Sequence, residues 1–278
     1  IYRFARMAIR SVGLTKAVRG VFSPIVARLI LRLASRSNRL FTVHGHSMVL
    51  SSGRGYPPLN MVMGRYEEET TRLLQSLAKP GMVFVDVGAH VGYYTLLAAR
   101  QVGPTGKVYA FEPEQGNHAL LLKNIEVNGY NNVVATRMAV SDNRGTSTLY
   151  LTALDSGRHS MYHHGLPERG STPVETTTLD SFLESEGWPR VDLIKVDVEG
   201  AEISVLDGMT RLVEERSDLK LIIEFNPALL QDGGVTPLEF LERLISPGWG
   251  AQIIEDANGL LPLIHGDAPD LISRLLTA

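Results

Sequence analysis

The chain has 278 residues, of which 44% are hydrophobic, and this composition is typical of a globular protein with one large domain and an appendage. It contains no cysteine, which excludes a disulfide framework and a thiolate metal site. The formal net charge is only −3, yet residues 1–66 carry eleven Lys and Arg and no Asp or Glu, whereas residues 67–278 carry 16 basic and 30 acidic residues. The chain therefore has a basic N-terminal segment and an acidic remainder.

Residues 1–60 are predicted to form a basic appendage of helix and hairpin. Arginines recur in it at helical spacing, at Arg3, Arg6 and Arg10 and again at Arg28, Arg32 and Arg36. The apolar run at 24–34 is interrupted by arginine and is too short to span a bilayer. We expect the segment to cover the core or a second subunit in a homodimer, and peripheral membrane contact through residues 1–40 is the open alternative. We expect a cytoplasmic protein, with or without that contact.

Nucleic acid is not an expected partner of the basic segment. Binding of nucleic acid would favour a basic patch interleaved with aromatic residues, and the sequence does not contain one.

Residues 61–278 form the predicted core, in which apolar strands alternate with helices. The predicted strands are 83–87, 108–112, 133–140, 191–197, 219–225 and 251–255 with a last apolar piece LLPLI, and the predicted helices are 91–101, 117–128, 201–214 and 237–246. Such alternation produces right-handed crossovers and a parallel sheet. Residues 145–180 break the pattern, and their β-rich sequence predicts an inserted hairpin. The predicted fold is α/β and Rossmann-like, with a doubly wound, seven-stranded, mostly parallel sheet.

A glycine turn follows the first core strand in VFVDVGAHVGYY, residues 83–94. Gly88 and Gly92 allow a tight turn that directs backbone N–H groups at a ligand. The spacing lacks the second glycine of the dinucleotide motif G-x-G-x-x-G, and no Gly-Lys-Ser/Thr of a P-loop follows. Asp86 would repel a phosphate but suits the ammonium group of an amino-acid moiety. The turn therefore favours a ligand with an amino-acid end.

Polar residues also end the other core strands, where open α/β sheets bind their ligands. Glu112 lies 20 residues beyond Gly92, where a carboxylate can accept both hydroxyls of a ribose. Asp142 follows the third strand and could accept from an adenine amine, although an ordinary turn explains it equally well. Asp197 and Glu199 follow the fourth strand. The strand ends thus predict a nucleoside site.

Six blocks occur between residues 60 and 226: VFVDVGAHVGYYTLLAA, VYAFEPEQGNHALLLKNIEVNG, AVSD, VETTTLDSFL, VDLIKVDVEGAEISVLDG and LIIEFNP. In this order they resemble the FkbM family of S-adenosylmethionine-dependent O-methyltransferases. The resemblance implies the Class I methyltransferase fold, with an antiparallel last strand, and S-adenosylmethionine as cofactor. It also implies methylation of a hydroxyl on a sugar, glycolipid or polyketide-type acceptor. His90 departs from the family, which usually has Asn at this position.

The resemblance also implies roles for individual residues. The methionine end of the cofactor falls to Asp86, Gly88 and Gly92, the ribose to Glu112 with help from Asn117, and the adenine to Ser141 and Asp142. The complete predicted cofactor-binding set is Asp86, Gly88, Ala89, His90, Gly92, Tyr94, Thr95, Glu112, Pro113, Asn117, Ser141, Asp142 and Asp197.

Methyl transfer from a sulfonium to oxygen requires positioning and one base for the hydroxyl proton. Asp197 and Glu199 are the first candidates for that base, and His159 in the inserted segment is another. We predict no metal site. The alternative is Mg²⁺ bound by Asp197, Glu224 and Asn226, whose oxygen atoms suit that ion.

Two other functions remain open from the sequence. A nicotinamide-dependent oxidoreductase would reuse the parallel sheet and Glu112, but the glycine spacing opposes it. A non-catalytic S-adenosylmethionine-binding protein would keep the same motifs without turnover. The expected partner is in each case a small molecule, and for the methyltransferase it is a small-molecule or glycan hydroxyl acceptor.

Overall fold

The computed structural model describes residues 2–7, 39–50, 59–153, 156–245, 250–255 and 259–263 of the chain. The strands are β1 (Tyr2–Met7), β2 (Arg39–Val43), β3 (His46–Leu50), β4 (Val83–Val87), β5 (Lys107–Phe111), β6 (Val133–Thr136), β7 (Ala139–Val140), β8 (Gly145–Thr152), β9 (Glu168–Thr177), β10 (Leu193–Val196), β11 (Lys220–Phe225), β12 (Gly250–Glu255) and β13 (Gly259–Leu263). The helices are α1 (Leu59–Val62), α2 (Glu68–Leu77), α3 (Tyr93–Val102), α4 (Gln115–Val127), α5 (Leu179–Ser185), α6 (Glu202–Asp207), α7 (Thr210–Glu215), α8 (Pro227–Asp232) and α9 (Pro237–Ile245). None of these helices is both long and apolar enough to cross a membrane.

The central sheet has the order β13-β12-β1-β11-β10-β4-β5-β6. Neighbouring strands are parallel, except that β13 runs antiparallel to β12. The chain moves outward from β4 through β5 to β6 and then returns to the other side of β4 at β10. This reversal between β4 and β10 opens a crevice at their carboxyl ends. The predicted doubly wound, mostly parallel sheet with an antiparallel last strand is confirmed.

The N-terminal segment differs from its prediction. Tyr2–Met7 forms strand β1, which inserts between β11 and β12, so the sheet has eight strands within the described residues rather than the predicted seven. The helical spacing of Arg3 and Arg6 is therefore misleading, because six residues are too few for periodicity to separate helix from strand. The other arginines of the predicted helical faces lie outside the described residues. The appendage boundary near residue 60 and the membrane contact stay predictions.

Both faces of the sheet are buried. Successive side chains of a strand point to opposite sides, and a hydrophobic cluster packs on each side. On β4, Phe84 packs on one face in a cluster with Leu96 and Leu97, while Val85 packs on the other face in a cluster with Ile194. This arrangement explains the nearly continuous apolar sequence of the central strands. It also leaves their polar residues at the carboxyl ends.

Two predicted elements are interrupted. The predicted strand 133–140 divides into β6 and β7, and the predicted helix 201–214 divides into α6 and α7. A Cβ atom at Gly208 would lie 2.0 Å from the Ser141 carbonyl oxygen, so the backbones approach closely at the break between α6 and α7.

The inserted hairpin is confirmed. Strands β8 and β9 are antiparallel, and β7 joins them in a separate three-stranded sheet. The connection between β8 and β9 folds back, so that Ser160 forms a bridge with Tyr150, and the Ser160 hydroxyl donates to the Glu199 carbonyl oxygen at 2.7 Å. The hairpin therefore reaches the carboxyl end of β10.

Candidate active site at the carboxyl end of the sheet

A cleft of about 580 Å³, including its open mouth, lies at the carboxyl ends of β4, β5 and β10 and beside the inserted hairpin. Predicted site residues that line it are Gly88, His90, Glu112, Pro113, Asn117, His159, Asp197 and Glu199. The cleft therefore occupies the crevice that the strand order opens.

The glycine turn lies directly against the end of β10. Gly88 has φ 84°, and a Cβ atom there would lie 1.9 Å from the Asp197 carbonyl oxygen. His90 is also left-handed, with φ 51°, a conformation in which Asn and His are the better tolerated non-glycine residues. Its half-buried ring contacts the Ser156 hydroxyl through Nε2 at 2.9 Å. The backbone conformation explains how His can stand at a position where the family usually has Asn.

Glu112 is buried at the end of β5, and hydrogen bonds to both of its oxygens fix the carboxylate. Oε2 accepts the His90 backbone N–H at 2.9 Å, and Oε1 accepts the Glu114 N–H at 3.0 Å and the Asn117 side-chain amide at 3.4 Å. Burial raises the pKa of Glu112 to about 7, although these three donors oppose the shift. The carboxylate is therefore rigidly placed on the wall of the cleft before any ligand binds.

A buried charged group lies behind the glycine turn, and the sequence analysis missed its cation, Lys195. The Lys195 ammonium donates to Asp197 Oδ2 at 2.8 Å and lies 4.6 Å from the centroid of the Tyr94 ring. Burial alone would lower the pKa of Lys195, but the Asp197 and Asp86 carboxylates outweigh burial and raise it. A lysine inside the apolar strand LIKV is the signal that could have revealed this group, because a buried charge requires a partner.

Asp86 belongs to this buried group rather than to the cleft wall. Its Oδ2 accepts the Thr95 hydroxyl at 2.6 Å, and its Oδ1 has no hydrogen-bond partner among the described residues. Burial raises the pKa of Asp86, and Lys195 opposes that shift. Ala89, Gly92, Tyr94 and Thr95 are likewise buried, beside or behind the turn. Their predicted cofactor contacts stay predictions.

The residues predicted for the adenine end are placed differently. Met138, Ala139 and Val140 line the cleft, whereas Ser141 and Asp142 do not. The Ser141 N–H bonds the Thr177 carbonyl of the hairpin sheet, which draws this segment away from the cleft. Asp142 is exposed, and its carboxylate accepts from Ser141 and from Asn143. The predicted contacts of Ser141 and Asp142 with adenine stay predictions.

The three candidate bases all line the cleft, but His159 is poorly arranged for the role. Its Nδ1 accepts the Thr152 backbone N–H at 3.1 Å, so one lone pair is already used. Burial lowers the pKa of His159 to about 4, and the Arg169 guanidinium also lowers it, against an opposing effect of Glu114. An imidazole of such low basicity is a weak proton acceptor. Asp197 and Glu199 remain the candidates.

Asn226, a predicted ligand of the alternative Mg²⁺ site, has a capping role in the structure, and its metal contact stays a prediction. Its side-chain oxygen accepts the Leu229 N–H at 3.4 Å and thereby caps the N-terminus of α8. An asparagine that follows a strand and precedes Pro at the first helical position is typical of such a cap. The sequence analysis could have recognised that pattern.

The strand reversal, the glycine turn and the strand-end carboxylate define a Rossmann-like α/β protein of the Class I methyltransferase type. The sequence model of the methyltransferase FkbM domain matches residues 86–250. The chain therefore belongs to the FkbM methyltransferase family.

Curated relatives agree with this family. The chain is 28% identical over 150 residues to a hexuronic acid methyltransferase, AglP, of Haloferax volcanii, and the match covers 54% of this chain and 59% of that protein. It is 29% identical over 154 residues to methyltransferase sdnD of Sordaria araneosa, covering 45% of this chain and 59% of that protein. This chain thus spans about three fifths of the length of either relative. Among solved structures, an S-adenosylmethionine-dependent O-methyltransferase of Thermotoga maritima is 16% identical with a TM-score of 0.39, covering 71% of this chain and 60% of that one, which is too distant to carry an argument.

Proposed function

We propose that this chain transfers a methyl group from S-adenosylmethionine to a hydroxyl oxygen of a sugar or similar polyhydroxylated small molecule. The observation that carries the proposal is one cleft with the fixed Glu112 carboxylate on one wall and Asp197 and Glu199 on another. A nucleoside and an acceptor hydroxyl require these two kinds of group, respectively. Family membership supports methyl transfer as the reaction.

The residues of the cleft fit the proposed cofactor. Glu112 provides carboxylate oxygens for the two ribose hydroxyls. The absence of a side chain at Gly88 lets the turn pack against the Asp197 carbonyl, so that the backbone of the turn lines the cleft. Bound S-adenosylmethionine would supply a methyl group that is already activated by the positive sulfonium. The wall at Met138, Ala139 and Val140 is mostly apolar and suits the face of an adenine ring.

The carboxylates at the other wall suit an oxygen acceptor. A hydroxyl must lose its proton as the new C–O bond forms, and Asp197 or Glu199 can accept that proton within the cleft. Asp197 is held in place by Lys195 at 2.8 Å, which gives it a defined orientation. The name of the Haloferax relative, a hexuronic acid methyltransferase, supports a sugar-type acceptor here.

The proposal is tested by methyl transfer from labelled S-adenosylmethionine to neutral hexosides, uronic acid glycosides and non-sugar polyols. We expect label in a sugar acceptor, and treatment of the product with alkali then identifies the oxygen. A methyl ether survives alkali, whereas a methyl ester of a uronic acid releases methanol. Binding of the cofactor without transfer to any acceptor would favour a non-catalytic role, and binding of a nicotinamide cofactor instead would favour an oxidoreductase.

A further inference from the structure

Three carboxylates from neighbouring strand ends converge at the transfer side of the cleft. One carboxylate oxygen from each of Asp197, Glu199 and Glu224 lies within 4.8 Å of the others. Asp197 and Glu199 line the cleft, while Glu224, on β11, is only 8% exposed. Like charges this close, with one of them buried, disfavour ionisation unless a positive charge joins them.

Glu224 is the residue of this cluster whose hydrogen bonding is incomplete. Its Oε2 is buried and has no hydrogen-bond partner among the described residues. A buried polar atom normally has such a partner, so an oxygen left without one requires an explanation such as an ion.

Lys195, the buried cation that pairs with Asp197, forms no ion pair with Glu224 among the described residues. Lys195 donates to Asp197 and is also the register partner of Asp86, so its one charge already faces two carboxylates. No ion pair to Glu224 is found in the described part of the chain.

We propose that Asp197, Glu199 and Glu224 bind one divalent cation of the hard, oxygen-preferring class, such as Mg²⁺, Mn²⁺ or Ca²⁺. The three ligands are all carboxylates, without the imidazole or thiolate that would favour Zn²⁺ or Cu²⁺. Because two of the ligands line the cleft, the coordination positions that the protein leaves open face the cleft. Hydroxyl oxygens of the acceptor can occupy those positions. This role of the cation rests on the proposed function, but the binding of the cation does not depend on it.

The site is tested by titrating the full chain with Mn²⁺ and following the electron paramagnetic resonance signal of the free ion. We expect one bound Mn²⁺ per chain, displaced by Mg²⁺ or Ca²⁺. Glu224→Gln keeps the shape of the side chain, removes its charge and should weaken Mn²⁺ binding at least about ten-fold. Glu175→Gln, an exposed substitution on β9, is the matched control and should leave binding unchanged. If Glu224→Gln does not fold, Glu199→Gln at the half-buried cleft wall carries the same expectation.

Two outcomes of the Mn²⁺ titration would overturn the cation site. In the first, the wild-type chain binds S-adenosylmethionine but no Mn²⁺, which removes the cation and leaves the proposed function intact. In the second, Mn²⁺ binds equally to wild type and to both carboxylate variants, which places it elsewhere. If Mn²⁺ binds at Asp197, Glu199 and Glu224 but S-adenosylmethionine does not bind, the result supports the cation site and contradicts the proposed function.

Thermal unfolding separates the cation from other ways of neutralising Glu224. With a bound cation, Mg²⁺ raises the melting temperature of the wild type and has little effect on Glu224→Gln. If a proton neutralises Glu224, the wild type does not respond to Mg²⁺ and Glu224→Gln is at least as stable. Arg6 is the register partner of Glu224 in β1, so Arg6→Gln is included. A melting temperature lowered equally by Arg6→Gln and Glu224→Gln, without a response to Mg²⁺, would assign neutralisation to the arginine and overturn the proposal.

Discussion

The sharpest prediction concerns Glu112→Gln and the affinity for S-adenosylmethionine. In the free chain the Glu112 carboxylate accepts from the His90 and Glu114 N–H groups and from Asn117, and a proposed pair of ribose hydroxyls would add two donors. Gln has only one acceptor oxygen, so its NH₂ group must face one of these donors. Losing a charged acceptor costs about 1.5–3 kcal/mol, and a loss of about 2 kcal/mol weakens binding roughly 30-fold.

The same carboxylate predicts a pH dependence of cofactor binding. Burial raises the pKa of Glu112 to about 7, so in the free chain the carboxyl becomes protonated as the pH falls through that value. Donation by the ribose hydroxyls favours the ionised form, so affinity should be highest above the pKa and should decrease below it, by up to about ten-fold per pH unit. The Gln variant has no ionisable group at this position and should lose this dependence.

Calorimetric titration with S-adenosylmethionine on both sides of the pKa, at constant ionic strength, measures both effects. A cofactor analogue that lacks the 2′-hydroxyl closes a double-mutant cycle, because it should lose less affinity on Glu112→Gln than the complete cofactor does. Glu175→Gln again serves as the control. Equal affinities of wild type and Glu112→Gln, with the same pH profile, would refute the contact between Glu112 and the ribose.

Three further substitutions test the surroundings of the cleft. Lys195→Met removes the cation between two buried or half-buried carboxylates and should destabilise the chain by about 3–5 kcal/mol in calorimetric unfolding, whereas an unchanged melting temperature would mean that those carboxylates are already neutral. Gly88→Ala should abolish cofactor binding, because its Cβ atom would meet the Asp197 carbonyl. Gly129→Ala is the control: Gly129 also has a positive φ, but a Cβ atom there would meet no other atom. This control should cost only about 1–2 kcal/mol of stability and should not affect binding. Asp197→Asn should preserve the fold and lower turnover by about 10²-fold, and full activity in initial-rate assays would transfer the role of base to Glu199.

The sequence could predict the sheet because burial on both faces leaves a strong local signal. Strands such as VFVDV and LIIEF are almost entirely apolar, and their spacing with helices determines a parallel arrangement. Strand β1 was not predicted, because its six residues fit a helix as well as a strand. Its strand conformation follows from its pairing with β11 on one side and β12 on the other.

The site was predictable only to the level of which strand ends contribute. The sequence placed Glu112, Asp197 and Glu199 after their strands, but it contained no information on the direction of each side chain. Asp142 turns outward because the chain beyond β7 joins the hairpin sheet, a tertiary contact without a local signal. Lys195 differs from Asp142, because a lysine within the apolar strand LIKV is a local signal of a buried charge. The identity of its partners, Asp86 and Asp197, depends on the tertiary structure.

Two left-handed residues connect the inserted hairpin to the cleft. His90 and Glu199 both line the cleft with positive φ, at 51° and 54°, and each such non-glycine residue costs about 1–2 kcal/mol. Glu112 accepts the His90 N–H, and Ser160 of the hairpin connection donates to the Glu199 carbonyl, so each strained residue has a backbone hydrogen bond that holds it. Residues in such conformations are found frequently at functional sites, which agrees with the position of His90 and Glu199 at the cleft. The hairpin therefore also stabilises the loop that carries Glu199, because the Ser160 hydrogen bond offsets the strain of that residue.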